Sequence, residues 1–173
     1  MIRPGLVLVL VDLQRWIVDM ALAPITGSQV AAASERLRAA FTAAGAPVVL
    51  VRYLRGDGAD GGAAAAPNLF VPQVAPRAHD HVVTKHGLDA FEATDLAGHL
   101  QGIGADTVVV AGIATEHGVG ATIEGAIKAG FDVVVVADAT AGGSAERHTV
   151  ALARAVEAGA RACFVDEVLA PTP

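Results

Sequence analysis

The chain has 173 residues, 53% of them hydrophobic, with 18 acidic against 12 basic residues and a net charge of −6. That length suits one compact domain with a full core and is short for two. Lys and Arg are scattered along an acidic chain, which argues against a nucleic-acid or anionic-membrane surface, and the apolar runs behind a mean hydropathy of +0.51 fall short of the ~18 residues of a membrane span, so the expected partner is a small molecule.

The N-terminal MIRPGLVLVLVD has no cleavage site and an apolar stretch only one strand long; it does not resemble a signal peptide, and the expected location is the cytoplasm. In chain order the patterning predicts a strand over 7–11, an Ala-rich helix over 29–44, a strand over 46–52 and a short strand over 81–84. A helix over 92–102, a strand over 107–112 and a helix over 117–130 follow. A strand over 131–137, a helix over 144–159 and a strand over 160–165 complete the chain. Gly45, Gly104, Gly130 and Gly159 stand where helices should stop, and Thr94 and Ser144 near where they should start. Strands that read as unbroken Val, Leu and Ile are buried on both faces, the pattern of a parallel sheet between helices. The expected fold is α/β, a single doubly wound domain spanning the chain.

Residues 54–81 interrupt this alternation with GDGADGGAAAAPNLFVPQVAPRAHD, which has no regular period. An insert of this length inside a compact domain reads as a lid or binding loop, partly ordered because Leu69, Phe70 and Val71 give it something to bury. The single cysteine, Cys163, excludes an intrachain disulfide and a cysteine-rich zinc site. It lies in the apolar ARACFVDEVL and reads as a small buried hydrophobe rather than a reactive thiol.

The most informative segment is 107–122, TVVVAGIATEHGVGAT, a buried strand leading through a glycine-punctuated turn into a helix. A helix start carries partial positive charge and unpaired amides, and Gly118 and Gly120 let a ligand oxygen approach them. In open parallel sheets, ligands sit beyond the carboxyl ends of the strands, where this pattern places Asp12, Lys85 and the 112–118 turn. Taken singly, Asp12 reads more readily as a turn residue, Lys85 as a solvated amine, and Glu116 and His117 as helix-start and turn residues. A carboxylate, an ammonium and a donor-lined turn at one sheet edge make a stronger case together.

The ordered set VDLQ ending at Gln14, VTKHGLDAF at 83–91, DL..HL at 95–100, VVVAGIATEHGV..T at 108–122 and AGFDVVVVADAT at 129–140 resembles the isochorismatase-like hydrolases, also called the cysteine hydrolase superfamily. The resemblance implies a Rossmann-like, six-stranded, mostly parallel sheet flanked by helices. It also implies a catalytic aspartate at Asp12, a catalytic lysine at Lys85, the cysteine position at Gly118 and a cis peptide between Ile113 and Ala114. Substrate sites are mostly apolar with a few polar anchors, and the candidates for the wall are Gln14, Trp16, Phe70, Ile113, Ala114, Thr115 and His117, with Phe91 read as core packing. Together with the high apolar content the resemblance implies a homo-oligomer, a dimer or tetramer.

Glycine at 118 removes the thiol route that most of the family uses, and nothing ties Thr115 or Thr122 to Asp12 as a substitute nucleophile. Isochorismatases proper resemble this chain in having glycine there, and they cleave a vinyl ether without a covalent adduct. Asp12 would then be the acid and Lys85 its charge partner or a substrate anchor. Those enzymes carry an aromatic residue where this chain has Ala114. An amidase-type hydrolase using activated water and a catalytically silent small-molecule sensor are the alternatives. No cofactor is expected, and no metal. The Asp-x-His ligands of nicotinamidase-like relatives are replaced by the run Arg52, Tyr53, Leu54 and Arg55, and the His79-Asp80-His81 run reads as solvated. Arg52 and Arg55 read either as an anion fork or as surface charge.

Overall fold

The computed structural model describes residues 2–170. Six strands form one sheet: β1 (Leu6–Val11), β2 (Val48–Tyr53), β3 (His81–Lys85), β4 (Thr107–Ile113), β5 (Asp132–Ala141) and β6 (Arg161–Cys163). Their spatial order is β3-β2-β1-β4-β5-β6, and every pairing is parallel. Helices α1 (Arg15–Val18), α2 (Gly27–Ala43), α3 (Leu96–Gly102), α4 (Gly120–Lys128), α5 (Ala145–Glu157) and α6 (Val165–Leu169) cover both faces. No described helix is long and apolar enough to cross a membrane.

The unbroken apolar strands are explained by two cores. Leu6, Leu8 and Leu10 of β1 pack with Leu37 and Phe41 of α2 and Val165 of α6 on one side. Val7, Val9 and Val11 pack with Leu100 of α3, Ile123 and Ala126 of α4 and Ala155 of α5 on the other. Period-two alternation thus sends every second side chain to a different helical layer, so neither face tolerates a polar residue.

The six strands and helices α2 to α5 follow the sequence reading, while several boundaries move and α1 and α6 are additional. Helix α2 starts at Gly27 because Thr26 and Gln29 form a capping box: Thr26 Oγ1 accepts from Gln29 N at 3.2 Å, and Thr26 N donates to Gln29 Oε1 at 2.8 Å. The helix expected from 92 begins only at Leu96, since Ala93 turns left-handed with φ 53°. The helix expected from 117 begins at Gly120, after a π-helical turn over Thr115–Val119 in which His117 leaves helical geometry. Strand β5 runs on to Ala141, and β6 stops at Cys163 ahead of α6, whose first residue, Val165, the apolar pattern assigns to the strand and whose remainder it leaves unread. Ser144 caps α5 as expected.

Within 54–81, two 3-10 turns form over Ala66–Asn68 and Pro72–Val74, and His81 already belongs to β3. Phe70, Val71 and Val74 are buried in the core, whereas Leu69 stays exposed.

Candidate functional site

The strand order reverses between β1 and β4, and there the chain leaves both strands in special conformations. Asp12, the first residue after β1, takes φ 55°, a left-handed backbone that aspartate adopts more readily than most residues, while its N–H still donates to Val51 O at 2.9 Å. Gly112 near the end of β4 has φ 127°, and any side chain there would collide with the Val11 carbonyl oxygen. The Ile113–Ala114 peptide that follows is cis, as the resemblance implied.

These departures bring three sequence-predicted residues together. Lys85 Nζ lies 2.8 Å from Asp12 Oδ2, both side chains almost wholly buried, and it also donates to Gly87 O at 3.2 Å and sits over the Tyr53 ring at 5.5 Å. Gly118 closes the group: a methyl placed there would lie 2.6 Å from Asp12 Oδ2 and 3.2 Å from Lys85 Nζ. Asp12 Oδ1 is buried and has no hydrogen-bond partner among the described residues. Burial raises the Asp12 carboxyl to about 6 against the opposing charge of Lys85. A carboxyl poised this way can give up a proton near neutral pH.

The group opens into a cavity of about 420 Å³, a size suited to a small organic molecule. Trp16, Ile113, Ala114 and His117 line it as expected. Sequence reasoning missed Ile17, Met20, Tyr53, His86, Gly87 and Leu88. The first two could be found only by recognising α1, a helix too short to show a period, and Tyr53 only by knowing that β2 ends level with β3.

Three expected wall residues serve elsewhere. Gln14 is wholly buried and clamps the end of β2: its amide nitrogen donates to Tyr53 O at 2.9 Å and its oxygen accepts from Tyr53 N at 2.7 Å. Phe70 pairs with Gln14 as an isolated antiparallel bridge and turns its ring into the core. Thr115 is buried, its Oγ1 2.8 Å from His148 Nδ1, and it faces a neighbouring cavity. Burial lowers the His148 pKa, with Glu116 opposing. Of the turn amides expected to be bare, His117 N and Val119 N both donate to Ala114 O.

The remaining candidates fall outside the pocket. Thr122 Oγ1 accepts from Ala90 N, Arg52 donates to Thr84 Oγ1, and Arg55 pairs with Asp57 in solvent. Phe91 packs against Phe131. His81 stacks on His99 at 3.7 Å, and no His, Cys, Asp and Glu cluster among the described residues is arranged to hold a metal. Cys163 is buried at the end of the edge strand β6, in register with Val136 and outside the lining of this cavity, and burial pushes its thiol pKa up.

Residues 6–167 match the isochorismatase domain. The chain is 34% identical over 177 residues to the isochorismatase family protein YecD of Escherichia coli O157:H7, covering 94% of this chain and 93% of that one. It is 36% identical over 134 residues to the streptothricin hydrolase of Streptomyces noursei, covering 72% of this chain and 48% of that one. An isochorismatase family protein from Burkholderia thailandensis superposes with a TM-score of 0.85 at 33% identity, covering 96% of this chain and 94% of the other.

Proposed function

The chain belongs to the isochorismatase family of hydrolases, and from that premise we propose that it hydrolyses a small molecule without a covalent thiol intermediate, with Asp12 as the acid. One observation carries this reading. The Asp12 carboxyl, buried and raised to about 6, stands over Gly118, where the family's thiol would stand, with Oδ2 on Lys85 and Oδ1 unclaimed.

A vinyl ether is the bond this arrangement suits. The protonated carboxyl gives its proton to the terminal alkene carbon, and the positive charge spreads over the adjoining carbon and the ether oxygen. Water adds to that carbon and returns a proton to the Asp12 carboxylate. The resulting hemiacetal or hemiketal collapses to a carbonyl compound and an alcohol. Lys85 stabilises the carboxylate once it has lost its proton, which makes the proton easier to give. Water is the only co-reactant, so the step needs no nucleophile from position 118.

The test is Asp12→Asn assayed on a panel of vinyl ethers and small amides. Turnover of a vinyl ether should fall by on the order of 10² to 10⁴, the usual worth of a positioned acid, with the fold retained by circular dichroism. Unchanged turnover in the variant overturns the assignment. Ligand binding without turnover in the native protein identifies a sensor instead.

A further inference from the structure

We infer that His148 is a positioning residue of the site: through Thr115 it fixes the turn that presents Gly118 to Asp12 and Lys85, and so sets the rate of the chemical step rather than the affinity for substrate. The effect on rate rests on the proposed hydrolytic reading of the pocket, whereas the effect on the turn does not. Support from within the turn is thin. Over Thr115–Val119 the backbone is π-helical, an uncommon arrangement, and His117 leaves helical angles at φ −121° and ψ −107°. His117 N and Val119 N converge on a single acceptor, Ala114 O, at 3.0 and 3.2 Å.

The outside support comes from α5 and the residues leading into it. Thr115 Oγ1 meets His148 Nδ1 at 2.8 Å, and Glu116 Oε1 accepts from Gly143 N at 2.8 Å. Gly142 exchanges two bonds of 2.9 Å with Ala23 on the segment after α1, so one short run of chain braces both the turn and the wall built from Trp16, Ile17 and Met20. Ser144 Oγ accepts from Arg147 N at 3.1 Å and sets where α5 begins, and with it the height of His148. The buried face of α5 consists of His148 and Ala155, two turns apart. An imidazole on such a face is costly unless its polar atoms are claimed, and His148, 6% exposed, is the only histidine of the chain that is buried. Burial lowers its pKa, so at neutral pH it is uncharged and joins the threonine hydroxyl as donor or acceptor according to its tautomer. Gly118 follows three residues after Thr115, and a Cβ there would lie 2.6 Å from Asp12 Oδ2 and 3.2 Å from Lys85 Nζ, an approach that a loosened turn would not keep.

The test places a thiol at the position to be held. In Gly118→Cys the rate of alkylation by iodoacetamide, followed against pH, reports how near the sulfur stands to the Lys85 ammonium without any need for turnover. Adding Thr115→Val removes the hydroxyl but leaves His148 Nδ1 unpaired; adding His148→Leu as well replaces both polar partners by apolar ones, which restores stability without restoring the bond. In both combinations the midpoint should move up by about one unit toward that of an ordinary thiol, with alkylation below the midpoint slowed about tenfold. Thr115→Ser, which returns the hydroxyl, should return the rate. With glycine kept at 118, Thr115→Val and the Thr115→Val/His148→Leu pair should lower kcat about tenfold or more and leave KM within about twofold. All rates are read well below the melting temperature of each variant, and Thr115→Val decides the matter alone if the pair does not fold. Native alkylation or native kcat in these variants reduces the contact to packing and overturns the inference, as does a rise in KM at constant kcat. Should no substrate be turned over, the hydrolytic reading fails and the alkylation rates alone decide whether His148 holds the turn.

Discussion

At position 118 the absence of a side chain leaves the space in which Asp12 and Lys85 meet, so the pair and the glycine form one feature rather than three. Restoring a side chain there should therefore act on both charged groups. In Gly118→Cys the new sulfur would stand beside the Lys85 ammonium, which favours the thiolate, whereas burial holds the native Cys163 thiol in its protonated form. Iodoacetamide followed by peptide mass mapping should label residue 118 well ahead of Cys163. Equal labelling of the two would mean that position 118 does not face the ammonium. Asp12 and Lys85 were legible in the sequence because each ends a run of apolar strand residues, and strand ends in a parallel sheet are where polar groups converge. Gln14 and Phe70 were misread because their directions depend on how the chain turns after Asp12, and the left-handed backbone there leaves no mark in composition.

Among the elements, the exit from β1 is held by a side chain rather than by regular structure. Gln14 substitutes for a missing strand partner by bonding both the N–H and the C=O of Tyr53, so its two bonds join the ends of β1 and β2 beneath the pocket. Gln14→Ala leaves those backbone groups unpaired and should destabilise the protein by roughly 1–3 kcal/mol, lowering Tm by about 2–4 °C per kcal/mol for a chain of this size. Because Tyr53 lines the cavity, KM should rise as well; unchanged melting and unchanged KM would show that the clamp carries nothing. The six strands could be read from apolar runs and the start of α5 from Ser144, whereas the starts of α3 and α4 could not. Ala93 delays α3, and the π-helical turn over Thr115–Val119 delays α4, two backbone events invisible to a pattern of hydrophobic spacing. The neighbouring Thr115–His148 contact was equally hidden, since it joins residues 33 apart in sequence.

For the whole molecule, the sheet order separates stability from chemistry. Arg38 of α2 pairs with Asp80 and donates to Ala75 O at 2.8 Å, tying the long 54–81 connection to the helical layer near the start of β3, away from the pocket at the opposite end of the strands. Both partners are buried, so Arg38→Ala strands a carboxylate and should cost about 3–5 kcal/mol in denaturant unfolding, with kcat of the folded fraction unchanged. Loss of kcat in step with stability would instead couple that connection to the site. The account as a whole depends on Asp12 acting in its protonated form. With its carboxyl at about 6, that form declines roughly tenfold per pH unit above this value, so the most direct measurement is kcat/KM against pH for a neutral vinyl ether. The account predicts a plateau at low pH and a decline of unit slope above about pH 6 that is absent from the residual activity of Asp12→Asn. A rate that climbs through pH 6 and then levels off would make Asp12 a base and contradict the proposed chemistry.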